Sequence, residues 1–128
     1  MSDEKNPFGP VIFSYTRAEA IADGVLIDVS EMAKETGFRY PVALTHAVHA
    51  EYVLVPDGVS GQDEDGRLWD ILTMARLASA KSSGKSEIYF ELYVRNDNRR
   101  ARRVRLKAVC GPNDDLSPCI TVMLPNED

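Results

Sequence analysis

Three stretches in the last third of this chain alternate apolar and polar residues with a period of two. Ile88, Phe90, Leu92 and Val94 interleave with Tyr89, Glu91, Tyr93 and Arg95. Val104, Leu106, Ala108 and Cys110 interleave with Arg103, Arg105, Lys107 and Val109, and Ile120, Val122 and Leu124 with Cys119, Thr121 and Met123. Successive side chains on a strand point to opposite faces, so each stretch is a strand with one apolar face. Asn96-Asp97-Asn98-Arg99 and Gly111-Pro112-Asn113-Asp114-Asp115 are rich in turn formers. Short connections of this kind join neighbouring strands into an antiparallel meander.

The apolar face of such a sheet must be covered, and the upstream sequence offers helices to cover it. Thr16 stands three residues before Glu19, the spacing of a capping box, and predicts a helix over 17–22 that Asp23-Gly24 ends. Ser14 is a second plausible cap. Val25-Leu26-Ile27-Asp28-Val29 is β-branched and short, a strand or an extended buried run. Ser30 is set to cap a helix over 31–36, with Gly37 as its C′ residue. Pro41 predicts the first turn of a third helix, Val42 to about Val53. A fourth, from Arg67 to about Lys81, carries Leu68, Ile71, Leu72, Ala75 and Ala78 on one face. The expected fold is α+β: a single domain of 128 residues, with N-terminal helices packed on one face of a C-terminal three-stranded antiparallel sheet and residues 1–10 loosely ordered.

At 44% hydrophobic residues the chain can bury a core without disulfides, and its two cysteines are too few for a disulfide framework. No apolar run is long enough to span a bilayer, and the polar start Met1-Ser2-Asp3-Glu4-Lys5-Asn6 lacks the apolar stretch of a signal peptide. These features predict a cytoplasmic protein with two reduced thiols and no membrane partner.

Charge is unevenly spread. Of fifteen Lys and Arg residues, seven fall between 95 and 107: Arg95, Arg99, Arg100, Arg102, Arg103, Arg105 and Lys107, against one acid, Asp97. The whole chain is nevertheless acidic, at −5. If the apolar phase faces the helices, Tyr89, Tyr93, Arg95, Arg103, Arg105 and Lys107 share the solvent face. Tyrosines among cations on an open sheet suit the stacking and phosphate pairing of a nucleic-acid platform. They equally suit ordinary cross-strand pairing. A second charged region is the loop 56–66, where Asp57, Asp63, Glu64 and Asp65 form an acidic surface for a basic partner.

No constellation points to catalysis or to a cofactor. His46 and His49 are three apart, the spacing of neighbours on a helix, but Glu51 falls on another face, and a metal site wants three or four ligands. Cys110 sits on the apolar phase, neither cysteine neighbours a histidine, and the acidic loop lacks the spacing of a calcium site. Phosphate-loop, dinucleotide, nucleophile-elbow and zinc-protease motifs are absent from the sequence. Trp69, the only tryptophan, is expected to anchor the helix layer, or else to be an interface hot spot.

The strings Ser14-Tyr15-Thr16-Arg17-Ala18, Asp23 to Ser30 (DGVLIDVS), Pro41-Val42-Ala43-Leu44-Thr45, Gly66-Arg67-Leu68-Trp69-Asp70, Leu106 to Pro112 (LKAVCGP) and Ile120 to Pro125 (ITVMLP) together resemble a family of small uncharacterised bacterial proteins carried on plasmids and other mobile elements. The resemblance implies no activity and no site residues. It does imply a setting of maintenance, transfer or evasion of host defence. The expected function is therefore a non-catalytic binding protein that occupies a host protein or complex, with an inhibitor of anti-CRISPR or anti-restriction type as its concrete form. The alternative is a nucleic-acid-binding accessory protein that uses the basic hairpin 95–107.

Overall fold

The computed structural model describes residues 15–82 and 84–128. The expectations for residues 1–10, for the run Val11-Ile12-Phe13 and for Ser14 as a cap lie outside the described residues. The fold is α+β, but its sheet has five strands and is mixed. The order is β1-β2-β5-β4-β3, with β1 Leu26–Asp28, β2 Val42–Thr45, β3 Glu87–Val94, β4 Arg102–Pro112 and β5 Pro118–Met123. The three C-terminal strands form the expected meander: β3 pairs antiparallel with β4, and β4 with β5. The three-stranded antiparallel sheet predicted from sequence is overturned by β2, which pairs parallel with β5 and antiparallel with β1.

Residues 42–45 were expected to open a helix. Val42, Ala43 and Leu44 are instead fully buried in the sheet. A strand covered on both faces has no polar side and so shows no alternation, which makes a run such as Val-Ala-Leu ambiguous between helix and strand. The pairing decides it: the Ile120 N–H donates to the Pro41 carbonyl at 2.8 Å, and Val42, Ala43 and Leu44 then stand beside Ile120, Thr121 and Val122. The helix begins only afterwards. The Thr45 hydroxyl accepts from the Val48 N–H, α3 covers His46–Val48, and the chain continues as a π-helical turn, His49–Val53.

Other local signals give the expected structure. Thr16 and Glu19 form the reciprocal capping box of α1 (Arg17–Ala22). Gly37 ends α2 (Ser30–Thr36) with φ of 110°, a conformation that favours glycine. The Ser30 side chain does not cap α2; its hydroxyl donates to Asp28 and accepts the Val42 N–H, which ties the start of α2 to β2. The longest helix, α4 (Glu64–Lys81), starts three residues earlier than expected, because the Asp63 carboxylate accepts the Gly66 N–H at 2.6 Å and caps it.

One face of the sheet carries Val42, Leu44, Phe90, Leu92, Leu106, Ala108, Ile120 and Val122 into a core with Val29, Ala33, Val48, Ile71, Leu72 and Ala75 from the helical side. The opposite face is covered at its centre. Arg17 of α1 donates to the Thr121 hydroxyl and the Ile120 carbonyl, both at 2.7 Å. The first N–H groups of α1, those of Arg17 and Ala18, donate to the Asp114 carboxylate in the β4–β5 turn. Ala43, Lys107, Cys119 and Met123 are also buried, although they point away from the main core. The expected solvent placement of Lys107 is corrected accordingly. The cysteines exchange roles: Cys119 is buried, while Cys110 keeps the inward phase but is exposed at the far end of β4.

Leu106 has no exposed surface and lies in the core between α4 and the sheet. Leu106→Ala should cost about 2–5 kcal/mol in urea unfolding, the range for a buried Leu replaced by Ala. Burial also pushes the Cys119 thiol above its usual pKa, so native-state alkylation should label Cys110 well before Cys119.

Candidate binding surface

The β3–β4 hairpin brings the basic and aromatic residues together. Tyr89 stands opposite Lys107, Glu91 opposite Arg105, and Tyr93 opposite Arg103. Across this face the cations are engaged locally. The Arg105 guanidinium lies 4.2 Å from the centroid of the Tyr89 ring, a cation–π contact. Arg103 approaches Glu91 at 3.7 Å, Arg102 approaches Asp97 at 3.8 Å, and the buried Lys107 approaches Glu87 at 4.0 Å. The Tyr89 hydroxyl donates to the Glu87 carboxylate at 2.8 Å; that bond, together with desolvation and the Glu87 charge, raises the phenol's pKa. Tyr93 is 67% exposed beside Arg103, and Arg99 and Arg100 are exposed in the connection between the strands.

Arg95 is not part of that surface. Its guanidinium donates to the Asp97 carbonyl at 2.7 Å and to the carbonyl of Ser60. Asn98 reinforces the same join: its amide donates to the Gly58 carbonyl at 2.7 Å and accepts from the Ser60 N–H at 3.0 Å. The turn of the basic hairpin is thus docked on the acidic loop. Asp57 is exposed there, whereas Asp63 caps α4, and Glu64 and Asp65 occupy its first turn, where carboxylates complement the helix dipole. The two charged regions read from the sequence are neighbours, held together by the Arg95 guanidinium and the Asn98 amide on backbone groups of the loop.

Beneath this join lies Arg67, only 6% exposed. It occupies the buried stripe of α4, four residues before Ile71 and eight before Ala75. Its Nε donates to the carbonyls of Tyr52 and Val53 at 3.0 and 3.2 Å. Its Nη1 reaches the Gln62 side chain at 2.9 Å and the Arg95 carbonyl at 2.8 Å. Its Nη2 reaches Asn96 Oδ1 at 2.6 Å and the Glu51 carbonyl at 3.5 Å. The last carbonyls of a helix lack partners within it, and one guanidinium takes up those of the π-helical turn while also gripping the end of β3 and the loop. Burial, and secondarily Arg95, lowers the Arg67 pKa, yet an arginine stays charged at any ordinary pH.

Sequence reasoning missed Arg67, Asn96 and Asn98. The available signal was a single charged residue on the apolar phase of α4. Trp69, expected in the helix layer, is 42% exposed. Beside the edge strand β3, a groove of about 440 Å³ is lined by Asp70, Thr73 and Met74 from α4 and by Glu91, Leu92, Tyr93 and Arg103 from the hairpin. His46 is exposed and His49 half-buried, and among the described residues no group of three or more His, Cys, Asp or Glu is placed to hold a metal ion. No described helix is long and apolar enough to cross a membrane.

A family model described as a family of unknown function, DUF6573, matches residues 7–128. The chain belongs to that family. No curated protein and no solved structure matches it.

Arg67→Met keeps much of the side-chain volume and removes every donor, leaving buried carbonyls unsatisfied. It should lower unfolding free energy by at least about 1–3 kcal/mol, the cost of leaving a buried acceptor unsatisfied, as measured by urea denaturation. Asn98→Ala, at the exposed rim of the same network, should cost about 1 kcal/mol.

Proposed function

We propose that this protein is a non-catalytic binding protein that engages an acidic face of another protein through the β3–β4 hairpin. The observation that carries this reading is a set of exposed residues around the hairpin turn, Arg99 and Arg100 in the connection, Arg102 and Arg103 at the start of β4 and Tyr93 opposite Arg103, with the turn held in place by Arg67, Arg95 and Asn98. Tyrosine and arginine are enriched at interface hot spots, and a surface ordered before binding loses less entropy on association. A protein partner is favoured over nucleic acid because Glu87, Glu91 and Asp97 stand among the cations and offset their charge. A polyanion would meet carboxylates at the positions where the platform should present cations.

The setting suggested by the sequence resemblance, a bacterial mobile element, makes inhibition of a host defence complex the specific form of this proposal. An acidic patch on such a complex, or on a regulator of it, would meet the hairpin. The loop carrying Asp57 would be the contact for a basic channel.

Affinity capture from a lysate of the organism that encodes the protein, with and without nuclease, tests the reading. A protein partner should persist through nuclease treatment and be lost with the triple substitution Arg99→Glu, Arg100→Glu and Arg102→Glu. The variant should fold normally, since exposed ion pairs contribute only about 0–1 kcal/mol each. Retention of the partner by the variant would exclude the hairpin. Binding that disappears with nuclease would favour the nucleic-acid alternative.

A further inference from the structure

Among the described residues, β3 is an edge strand, bonded to β4 on one side only. Which of its backbone groups are unpaired follows from one hydrogen bond. The Cys110 N–H donates to the Ser86 carbonyl at 2.7 Å, so Ser86 and Cys110 are a hydrogen-bonded pair. In an antiparallel ladder such pairs recur every second residue. The observed register then assigns Ile88, Phe90, Leu92 and Val94 to bonds with β4. The N–H and C=O groups of Glu87, Tyr89, Glu91 and Tyr93 point to the open edge. Sheet edges in native proteins are commonly shortened, bulged or guarded by lysine or proline. This one runs for eight residues with no proline, and no lysine falls within it.

The same margin carries exposed apolar side chains. Tyr89 and Tyr93 are exposed on β3, and Met74 of α4 is exposed and lines the groove at the edge together with Tyr93. An open edge with exposed apolar side chains beside it is a candidate association surface.

We infer that β3 pairs antiparallel with β3 of a second copy of this chain, joining two five-stranded sheets across a two-fold axis. The sequence of the edge is complementary to itself. With the axis at Phe90, all four outward-turned residues find partners. Glu91 faces Tyr89 of the other copy and Glu87 faces Tyr93, while on the core side Ile88 faces Leu92 and Phe90 faces its own equivalent. Shifting the axis to Tyr89 or to Glu91 places glutamate opposite glutamate, which antiparallel pairs disfavour. The carboxylate–phenol contact this register needs already exists within one chain, between Glu87 and Tyr89. A two-fold contact of this kind closes on itself and leaves no further edge at β3. Met74 of each α4, in the groove beside β3, supplies apolar area at the seam. The association shares Tyr93 with the surface proposed for a partner, whose Arg99, Arg100 and Arg102 lie outside β3.

Residue-resolved amide exchange on the wild-type protein tests the pairing without any substitution. Between ~10 µM and ~1 mM, exchange at Tyr89 and Glu91 should slow by about tenfold or more, while even-numbered β3 amides, already bonded to β4, change little. Sedimentation should move from the chain mass to twice that mass over the same range. Glu91→Pro removes an N–H that β4 does not use, so it should leave the fold intact and hold the protein as a monomer. A wild type that stays monomeric at the upper concentration, protection confined to other residues, or a Glu91→Pro variant that still dimerises would each overturn the inference. If that variant fails to fold, the wild-type exchange pattern decides alone.

Discussion

Arg67 holds together three segments, the π-helical turn, the loop before α4 and the end of β3. A guanidinium carries five N–H groups in a rigid plane, and here all of its nitrogens find oxygen acceptors on the π-helical turn, the 54–63 loop and the end of β3. Burying a charge is costly unless it is fully hydrogen-bonded. The solution is a cluster of carbonyl and amide oxygens, several at the negative end of a helix, in place of a carboxylate. Such an arrangement orients without bringing in a second buried charge.

The docked turn follows from that grip. With the end of β3 fixed by Arg67, Arg95 and Asn98 can close on Gly58 and Ser60, and the next residues, Arg99 to Arg103, emerge at a defined place. The charge distribution takes a different meaning as a result. The basic and acidic stretches are adjacent parts of one docked surface. Of seven cations in 95–107, Arg95 is consumed in structure, Lys107 is buried, and Arg102, Arg103 and Arg105 are engaged by Asp97, Glu91 and Tyr89. On the function proposed above, the surface offers a partner an ordered mixture of arginine, tyrosine and carboxylate, which suits recognition of a protein better than nonspecific attraction to a polyanion.

Local rules located most elements and failed where burial was two-sided. The capping box at Thr16, the Gly37 stop and the alternation of Ile88 to Val94 are signals contained within a few residues, and the structure keeps them. Val42 to Leu44 carry no such signal, because a strand covered on both faces has nothing polar to alternate with. The exposure of Trp69 and the burial of Lys107 were illegible for a related reason: helical or strand phase says which way a side chain points, and cannot say whether anything lies there to cover it. Of the candidate surface, the aromatic–cation pairing of β3 with β4 was legible; its docking to the 54–63 loop was not.

The sequence by itself determined α1 with its capping box, the Gly37 end of α2, the body of α4, the antiparallel meander of the last three strands, and the grouping of tyrosines and arginines on one hairpin. Those depend on periodicity and on contacts between residues near in the chain. Only the tertiary structure decided that Val42–Thr45 joins the sheet beside β5, that α1 is bonded to β5 and the β4–β5 turn, and that Arg67 is a buried hub. Each of these rests on hydrogen bonds or burial between segments about fifteen to a hundred residues apart, and no local pattern encodes which distant partner will satisfy a backbone group.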